Sequence, residues 1–548
     1  MRTLVQGGDV IDGTGAPRKR ADLLIEDDHI AEIGAITLAP DEVIDARGLV
    51  VTPGFLDMHS HGDFQLPGEP EARGKVMQGV TTEVIGNCGL GLFPANDRVE
   101  RFYELLSPML FGERGGGCYR DVAAYREKLD RIGLSVNAAP LVAHGNVRCL
   151  AMGLDERKST ASELAQMVET VEANMEEGAF GLSTGLVYPP GAYAETEEII
   201  ELAKVAAKHE GIYATHMRDE GGRLFQSVEE TLRIGREAKV SVQISHHKAA
   251  GRWNWGKVDK TLGMVEKARD EGLDVTSDVY PYAAGSTVLS AMILPLWAFE
   301  GSQEKTLERL RDPATRKKIV EDSKQRMLRL VHMPEAIDSW FPKRLILPFM
   351  ILGLSRLVVV SSVRKRHEYE GMTLRQIAKQ RGQRLYDMML DLLVEEELAV
   401  AAVAHVMSER DVETVMRHPT TMIGSDGFPQ REGKPHPRSY GTYPRVIEHY
   451  VRERKLFSLE TAIHKMTGMV ARKLGLADRG VLRVGAKADV LVLDADTMHD
   501  RATYADPKNH PTGLHHVFVN GHWTVKGGVH TGARGGRVLS RKTDRGAS

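Results

Sequence analysis

Short apolar runs recur through the middle of the chain, separated by longer stretches with helical patterning. The runs fall at Val50–Met58, Thr81–Ile85, Val136–Ala143, Ala179–Leu182, Ile212–Thr215, Val240–Ser245, Leu273–Ser277 and Thr421–Gly424. Each has the length of a buried strand. Between them, Ser162–Glu176 and Thr196–Lys208 read as helices; Ser162 stands where an N-cap would, and Ala165 leaves it without a capping box. Strand-helix alternation of this kind predicts a parallel sheet, and about eight repeats predict a (β/α)8 barrel. Ala399–Ala404 competes with Leu273–Ser277 for the seventh strand.

Both ends are patterned differently. Thr3-Leu4-Val5, Val10-Ile11 and Leu23-Leu24-Ile25 are short β-rich runs cut by Gly-Gly, Asp-Gly and Asp-Asp turns, and Ala488–Leu493, Val517–Val519 and Thr524-Val525 repeat that texture. The expected architecture is therefore α/β: a TIM-like barrel over 51–477, with a small β domain built jointly from 1–50 and 478–548. Two separate caps are the alternative. Residues 287–394 break the alternation with charged helical sequence (Glu304–Arg311, Arg316–Leu330) and the apolar stretch Trp340–Leu347. An insertion ahead of the last barrel strand stands where lids stand, or forms a contact patch for a subunit or a membrane surface.

Composition narrows the class. A chain of 548 residues with 42% hydrophobic and 27% charged residues is an ordinary globular protein of more than one domain. A net charge of -3 supplies no basic stripe, so nucleic acid is not expected as a partner. Three cysteines, Cys88, Cys118 and Cys149, argue against a disulfide framework and for a reducing, cytoplasmic setting. The opening MRTLVQGGDVIDGTG lacks the apolar core of a signal peptide, and Leu345–Leu354 is too short to span a bilayer.

The chemistry-bearing residues fall at one end of the predicted strands. His59 and His61 close the first run, Cys88 follows the second and His144 the third; His216, His246, Asp278 and Asp426 follow the fifth to the eighth. Catalytic residues of such barrels sit at the C-terminal strand ends. His59 and His61, two residues apart on an extended segment, leave the same face, and four imidazoles with a thiolate suit zinc. The fourth run, Gly178–Gly185, has no lysine or acid to bridge two ions, which leaves Cys88 as the candidate anion. Asp426 is placed to accept a proton from an activated water. Asp278 and Asp63 are weaker candidates, either orienting histidines or serving turns. Cys118, Cys149, His247, His405 and His464 read as ordinary structural residues.

The segments VVTPGFLDMHSHGD, GVTTEVIGNCG, GAFGLSTGLVYPPG, YATHMRDEG, SHHKAAG, SDVYPYAAGST, IGSDG and HPRSYGT, in that order, resemble the amidohydrolase superfamily and within it the N-acyl-D-amino-acid deacylases. The resemblance implies a zinc hydrolase that cleaves the amide of small N-acyl-D-amino acids. It implies that Cys88, His216 and His246 hold a tightly bound zinc, that His59 and His61 line a second, weaker position, and that Asp426 is the acid/base. Lys248, one of Tyr280 and Tyr282, and Arg438 would meet the α-carboxylate, with His59, His61 or His144 assisting the oxyanion. Competing readings are a hydantoinase-like or isoaspartyl-dipeptidase-like enzyme, which would rely on a fourth-strand lysine or acid, and a scaffold that has lost its metal. The chain departs from the family pattern around Val331–Leu354. That greasy stretch, as a lid, predicts apolar D-side chains over acidic ones, and it is also the candidate contact for a second copy or a membrane surface.

Overall fold

Gly54 interrupts the first apolar run, and this break decides where two layers meet. A Cβ at Gly54 would lie 2.1 Å from Thr81 Oγ1, so only glycine passes this point. The single strand expected over Val50–Met58 is therefore two strands that belong to different sheets. The computed structural model describes residues 1–110, 117–329, 345–428 and 432–544.

In chain order the terminal strands are β1 (Arg2–Val10), β2 (Lys19–Glu26), β3 (His29–Gly34), β4 (Glu42–Asp45) and β5 (Val50–Pro53). The central strands are β6 (Phe55–Asp57), β7 (Val80–Ile85), β8 (Asn137–Pro140), β9 (Val142–Ala143), β10 (Gly181–Gly185), β11 (Ile212–His216), β12 (Ser241–Ile244) and β13 (Val275–Val279). There follow β14 (Gly285–Val288), β15 (Val358–Val363), β16 (Val400–Ala404) and β17 (Thr421–Ile423). The last are β18 (Val490–Leu493), β19 (Leu514–Val519), β20 (His522–Lys526) and β21 (Val529–His530).

The two ends of the chain share one nine-stranded sheet, ordered β21-β20-β19-β18-β5-β1-β2-β3, with β4 beside β1. Its centre is the antiparallel pairing of β18 with β5, where Val490 faces Pro53 and Leu493 faces Val50. Val51, Val490, Val492 and Phe518 bury one apolar cluster against Leu23 and Ile25.

The remaining parallel strands run β6-β7-β8 and, after Leu141, β9-β10-β11-β12-β13-β17. A parallel bridge between Ser60 and Gly427 joins the last strand to the first, closing a ring of the barrel type. The seventh place goes to β13. Ala399–Ala404 instead forms β16, in the middle of an antiparallel sheet with β14 and β15. That sheet and its helices lie between β13 and β17 in sequence and have their own core, with Leu289, Leu310, Val360, Met388 and Leu393 buried together.

Two local expectations change. The helix Ala161–Glu176 is capped by Thr160, not Ser162, and it has a full capping box with Glu163: the Thr160 N–H donates to the Glu163 carboxylate at 2.8 Å, and the Glu163 N–H to Thr160 Oγ1 at 3.3 Å. Two reciprocal bonds outcompete the one Ser162 could offer. Of the stretch 331–354, residues 331–344 lie outside the described residues. Its described end enters the helix Leu347–Leu357, preceded by exposed Leu345 and itself exposing Phe349 and Leu352. Among the described residues no helix is long and apolar enough to cross a membrane.

Candidate active site

The C-terminal ends of the five strands β6, β7, β11, β12 and β17 bring six buried side chains to one point: His59, His61, Cys88, His216, His246 and Asp426. Cys88 Sγ lies 3.3 Å from His59 Nε2 and 3.7 Å from His246 Nε2. Asp426 Oδ1 stands 3.4 Å from His59 Nε2 and 3.2 Å from His61 Nε2. The donor atoms fall into two groups, His59–His61–Cys88–Asp426 and Cys88–His216–His246, each with all atoms within 4.8 Å of one another and with the thiol in both.

The backbone is bent to make this possible. Cys88, His246 and Asp426 all have positive φ, at 55°, 36° and 48°. Side chains with a Cβ reach this region only at a cost of about 1–3 kcal/mol, and such positions gather at functional sites. The fourth strand explains its own lack of an anion: a Cβ at Gly185 would lie 2.0 Å from the Cys88 carbonyl oxygen. Glycine there lets the Cys88 loop sit against β10.

The charges are strongly coupled. Burial raises the Cys88 thiol, but the His59 charge and hydrogen bonds from His216, His246 and His59 outweigh it and hold the thiol well below its ordinary pKa. Asp426 is likewise driven up by burial and brought well below the carboxylate range by Arg438, His59, His246 and His61. His246 is lowered by burial and by Lys248 but lifted overall to about 9, chiefly by Glu220 and Asp426. Burial prevails at His216 and pulls it down. Two anionic donors thus sit among imidazoles whose protons balance their charge. A divalent cation fits that donor set, because it takes over the charge balance and releases those protons.

Around the cluster, Glu220 binds three of its neighbours. Its Oε1 lies 2.8 Å from His246 Nδ1 and 2.7 Å from Lys248 Nζ, and its Oε2 lies 3.6 Å from His216 Nε2. Along the chain Glu220 shows only as a carboxylate four residues after His216, a signal too common to single it out. Asp278 accepts from the His246 N–H at 2.8 Å and lies 3.3 Å from His59 Nδ1, so it orients histidines.

Arg438 approaches Asp426 Oδ2 at 2.8 Å and lies 4.6 Å over the Tyr280 ring, which Lys248 faces at 5.7 Å. Tyr282 turns away and donates to Asp500 at 3.3 Å. His144 is held 3.0 Å from Glu198, which also pairs with Arg148. Asp63 is buried with no side-chain hydrogen bond among the described residues, and burial pushes it up to about 7. Cys149 is buried with its thiol pushed up to about 12.

The sequence profile of the amidohydrolase family matches residues 42–329 and 360–525. A D-aminoacylase of Alcaligenes xylosoxydans xylosoxydans is 39% identical over 542 residues, covering 98% of this chain and 97% of that protein. The chain belongs to the amidohydrolase family, in its D-aminoacylase branch.

Two solved amidohydrolases of that branch are similar along their whole length. A D-aminoacylase with a binuclear metal centre superimposes with a TM-score of 0.81 at 36% identity, over 98% of this chain and 99% of that one. An N-acyl-D-glutamate deacylase of Bordetella bronchiseptica, complexed with zinc and a phosphonate mimic of the tetrahedral intermediate, gives 0.80 at 34% over the same shares. The α/β fold is theirs. The family profile leaves residues 330–359 unmatched, and these enclose the stretch where the sequence departs from the family pattern.

Proposed function

We propose that this amidohydrolase uses zinc to hydrolyse the amide bond of N-acyl-D-amino acids, giving a carboxylate and a free D-amino acid. The observation that carries the proposal is the sulfur of Cys88 shared by two donor groups where the fourth strand offers no anion, in a chain 39% identical to a D-aminoacylase. Cys88, His216 and His246 would hold the tightly bound zinc, and His59 and His61 would line a second, weaker position. A similar D-aminoacylase has a binuclear metal centre with one-metal activation and second-metal attenuation, which supports a site with room for two ions.

Zinc supplies a Lewis acid for the amide carbonyl and lowers the pKa of a water. Asp426, kept ionised by Arg438 and the imidazoles, is placed to accept the proton of a water that adds to the carbonyl carbon. It returns the proton to the nitrogen as the carbon-nitrogen bond breaks. His59 and His61, both within 3.4 Å of Asp426, can share the charge that develops. Lys248, Tyr280 and Arg438 converge on one side and suit the α-carboxylate. The geometry favours Tyr280 over Tyr282. His144, engaged by Glu198, serves the wall of the site.

The reading extends to architecture. The terminal sheet acts as a small β domain, residues 51–477 form the catalytic barrel, and the insertion between β13 and β17 forms a lid-like wall. The apolar side of the Leu347–Leu357 helix is then a contact surface for a second copy or a membrane. Co-sedimentation with liposomes, against size measurement without them, separates those two.

The deciding experiment is a hydrolysis screen of N-acyl-D- and N-acyl-L-amino acids, with metal analysis of the same sample. D-selective release with zinc bound supports the reading. Hydrolysis of a hydantoin with no release from any N-acyl-D-amino acid would sink it.

A further inference from the structure

At the seam where the ring of strands closes, next to the metal cluster but outside it, lies a knot of buried charge that the proposed proton transfers do not use. Among the described residues β6 and β17 share no ladder, and the bridge of Ser60 with Gly427 joins their backbones. Side chains close the rest of the seam. Asp57, at the end of β6, accepts through Oδ1 from the Ser425 N–H at 2.8 Å and the His59 N–H at 3.2 Å. Its Oδ2 accepts from the Ser425 hydroxyl at 2.5 Å. Lys75, in the short helix Arg73–Val76, donates to that same Oδ2 and to Ser425 Oγ, both at 2.7 Å. The Gly427 N–H donates to Ser425 Oγ at 3.0 Å. The single proton and both lone pairs of this hydroxyl are therefore engaged. Glu83, on β7, lies 3.8 Å from Lys75 Nζ and accepts from the Ser60 hydroxyl at 2.5 Å. Lys75, Asp57, Glu83 and Ser425 are all buried.

A buried ion pair of this kind adds little stability, because desolvation offsets most of the attraction and apolar side chains of similar volume often serve as well. What it provides here is direction. Asp426 is the residue between Ser425 and Gly427, and its φ of 48° lies where a residue with a Cβ is strained. Its N–H donates to the His59 carbonyl at 2.7 Å, while Arg438 draws its Oδ2 from the other side at 2.8 Å. Both flanking residues are tied to one hydroxyl, so the backbone at 426 is kept from relaxing towards Arg438. The carboxylate then stays 3.4 Å and 3.2 Å from the rings of His59 and His61. Gly427 makes room for this arrangement: a Cβ there would lie 2.9 Å from Ser425 Oγ and 3.2 Å from Lys75 Nζ.

We infer that Lys75, Asp57 and Ser425 are positioning residues for the hydrolysis, a lock that aims the Asp426 carboxylate at the reacting water and the leaving nitrogen. None of the three belongs to either donor group; they act through the main chain at 425–427. The inference rests on Asp426 as the acid/base of the deacylase reading above.

Two variants test it without splitting the ion pair. Ser425→Ala keeps Lys75 and Asp57 together and removes the hydroxyl between them. Asp57→Asn combined with Lys75→Met removes both charges of the pair at once. With N-acetyl-D-leucine, kcat should fall by about 10–100-fold in each, the scale of a misplaced reacting group. KM should stay within about twofold of the natural chain, because Lys248, Tyr280 and Arg438 are untouched, and zinc per chain should not change. Undiminished kcat in either folded variant overturns the inference. A loss that appears in KM, or that accompanies loss of zinc, also overturns it, since the knot would then serve binding or the metal ligands. If the double variant does not fold, Ser425→Ala decides alone; if neither folds, the knot serves folding and the inference fails. Absence of hydrolysis by the natural chain removes the deacylase reading itself, whereas hydrolysis with undiminished kcat in the variants removes only the lock.

Discussion

At the scale of the residue, the site depends on two carboxylates with different duties. Asp426 faces the imidazoles and Arg438, which keep it ionised and so open to a proton. Asp426→Asn should lower kcat by about 10²–10⁴, the usual range for a positioned acid/base. Zinc per chain should stay near the natural value, since Cys88, His216 and His246 remain; steady-state kinetics and metal analysis on one preparation check both. Glu220 acts through others, fixing the His246 ring through Nδ1 and the Lys248 ammonium. Glu220→Gln should weaken zinc binding about 10–100-fold and raise KM for substrates bearing an α-carboxylate. A zinc titration beside a KM series distinguishes this from simple loss of fold.

At the scale of the element, the helices His144–Met152 and Thr196–Lys208 are clipped together by Glu198, between His144 and Arg148. Burial alone would raise the Glu198 pKa, but the hydrogen bond from His144 and the charges of His144 and Arg148 bring it down from 4.5 to about 2. A carboxyl whose folded pKa is depressed adds stability above its unfolded pKa. That contribution is lost as pH falls from about 4.5 towards 2. Glu198→Gln should therefore destabilise the protein by on the order of 2 kcal/mol at pH 7, with the gap to the natural chain closing by about pH 2; urea unfolding across pH measures it. The insertion makes a second element-scale prediction. Its apolar Val288, Ala291 and Phe299 form part of the wall next to the site, so N-acetyl-D-Leu, -D-Met and -D-Phe should turn over better than N-acetyl-D-Glu and -D-Asp. Preference for the acidic pair in a kinetic panel refutes it.

At the scale of the whole molecule, the donor atoms come from five strands of the ring, so a metal ion there ties together segments up to hundreds of residues apart. Binding to the folded state alone stabilises it by mass action. Dialysis against a chelator should lower the Tm by several degrees, and zinc should restore it; an unchanged Tm would place the metal elsewhere or nowhere. The nine-stranded sheet closes the chain on itself in the same way, because β5 lies between β1 and β18, strands from its two ends.

Much of this was legible along the chain because it is local. Strand-helix alternation follows from side-chain periodicity, and the run of His, Cys and Asp at strand ends follows from where parallel barrels expose their loops. What escaped was set by contacts far apart in sequence. The split at Gly54 exists because Thr81 leaves no room for a Cβ. The Thr160 cap is the exception, because its reciprocal pair with Glu163 is a local Thr-x-x-Glu signal already present along the chain. Ala399–Ala404 has the same apolar texture as a barrel strand, and only the partners β14 and β15 placed it in the insertion. Tyr280 and Tyr282 are two residues apart, yet one packs against Arg438 and the other bonds Asp500, a difference that no local pattern encodes. The sequence by itself determined which chemical groups are present and that they gather at one end of a barrel. Tertiary structure decided which of them touch, because distance between side chains depends on closure of the ring and on neighbours no local pattern encodes.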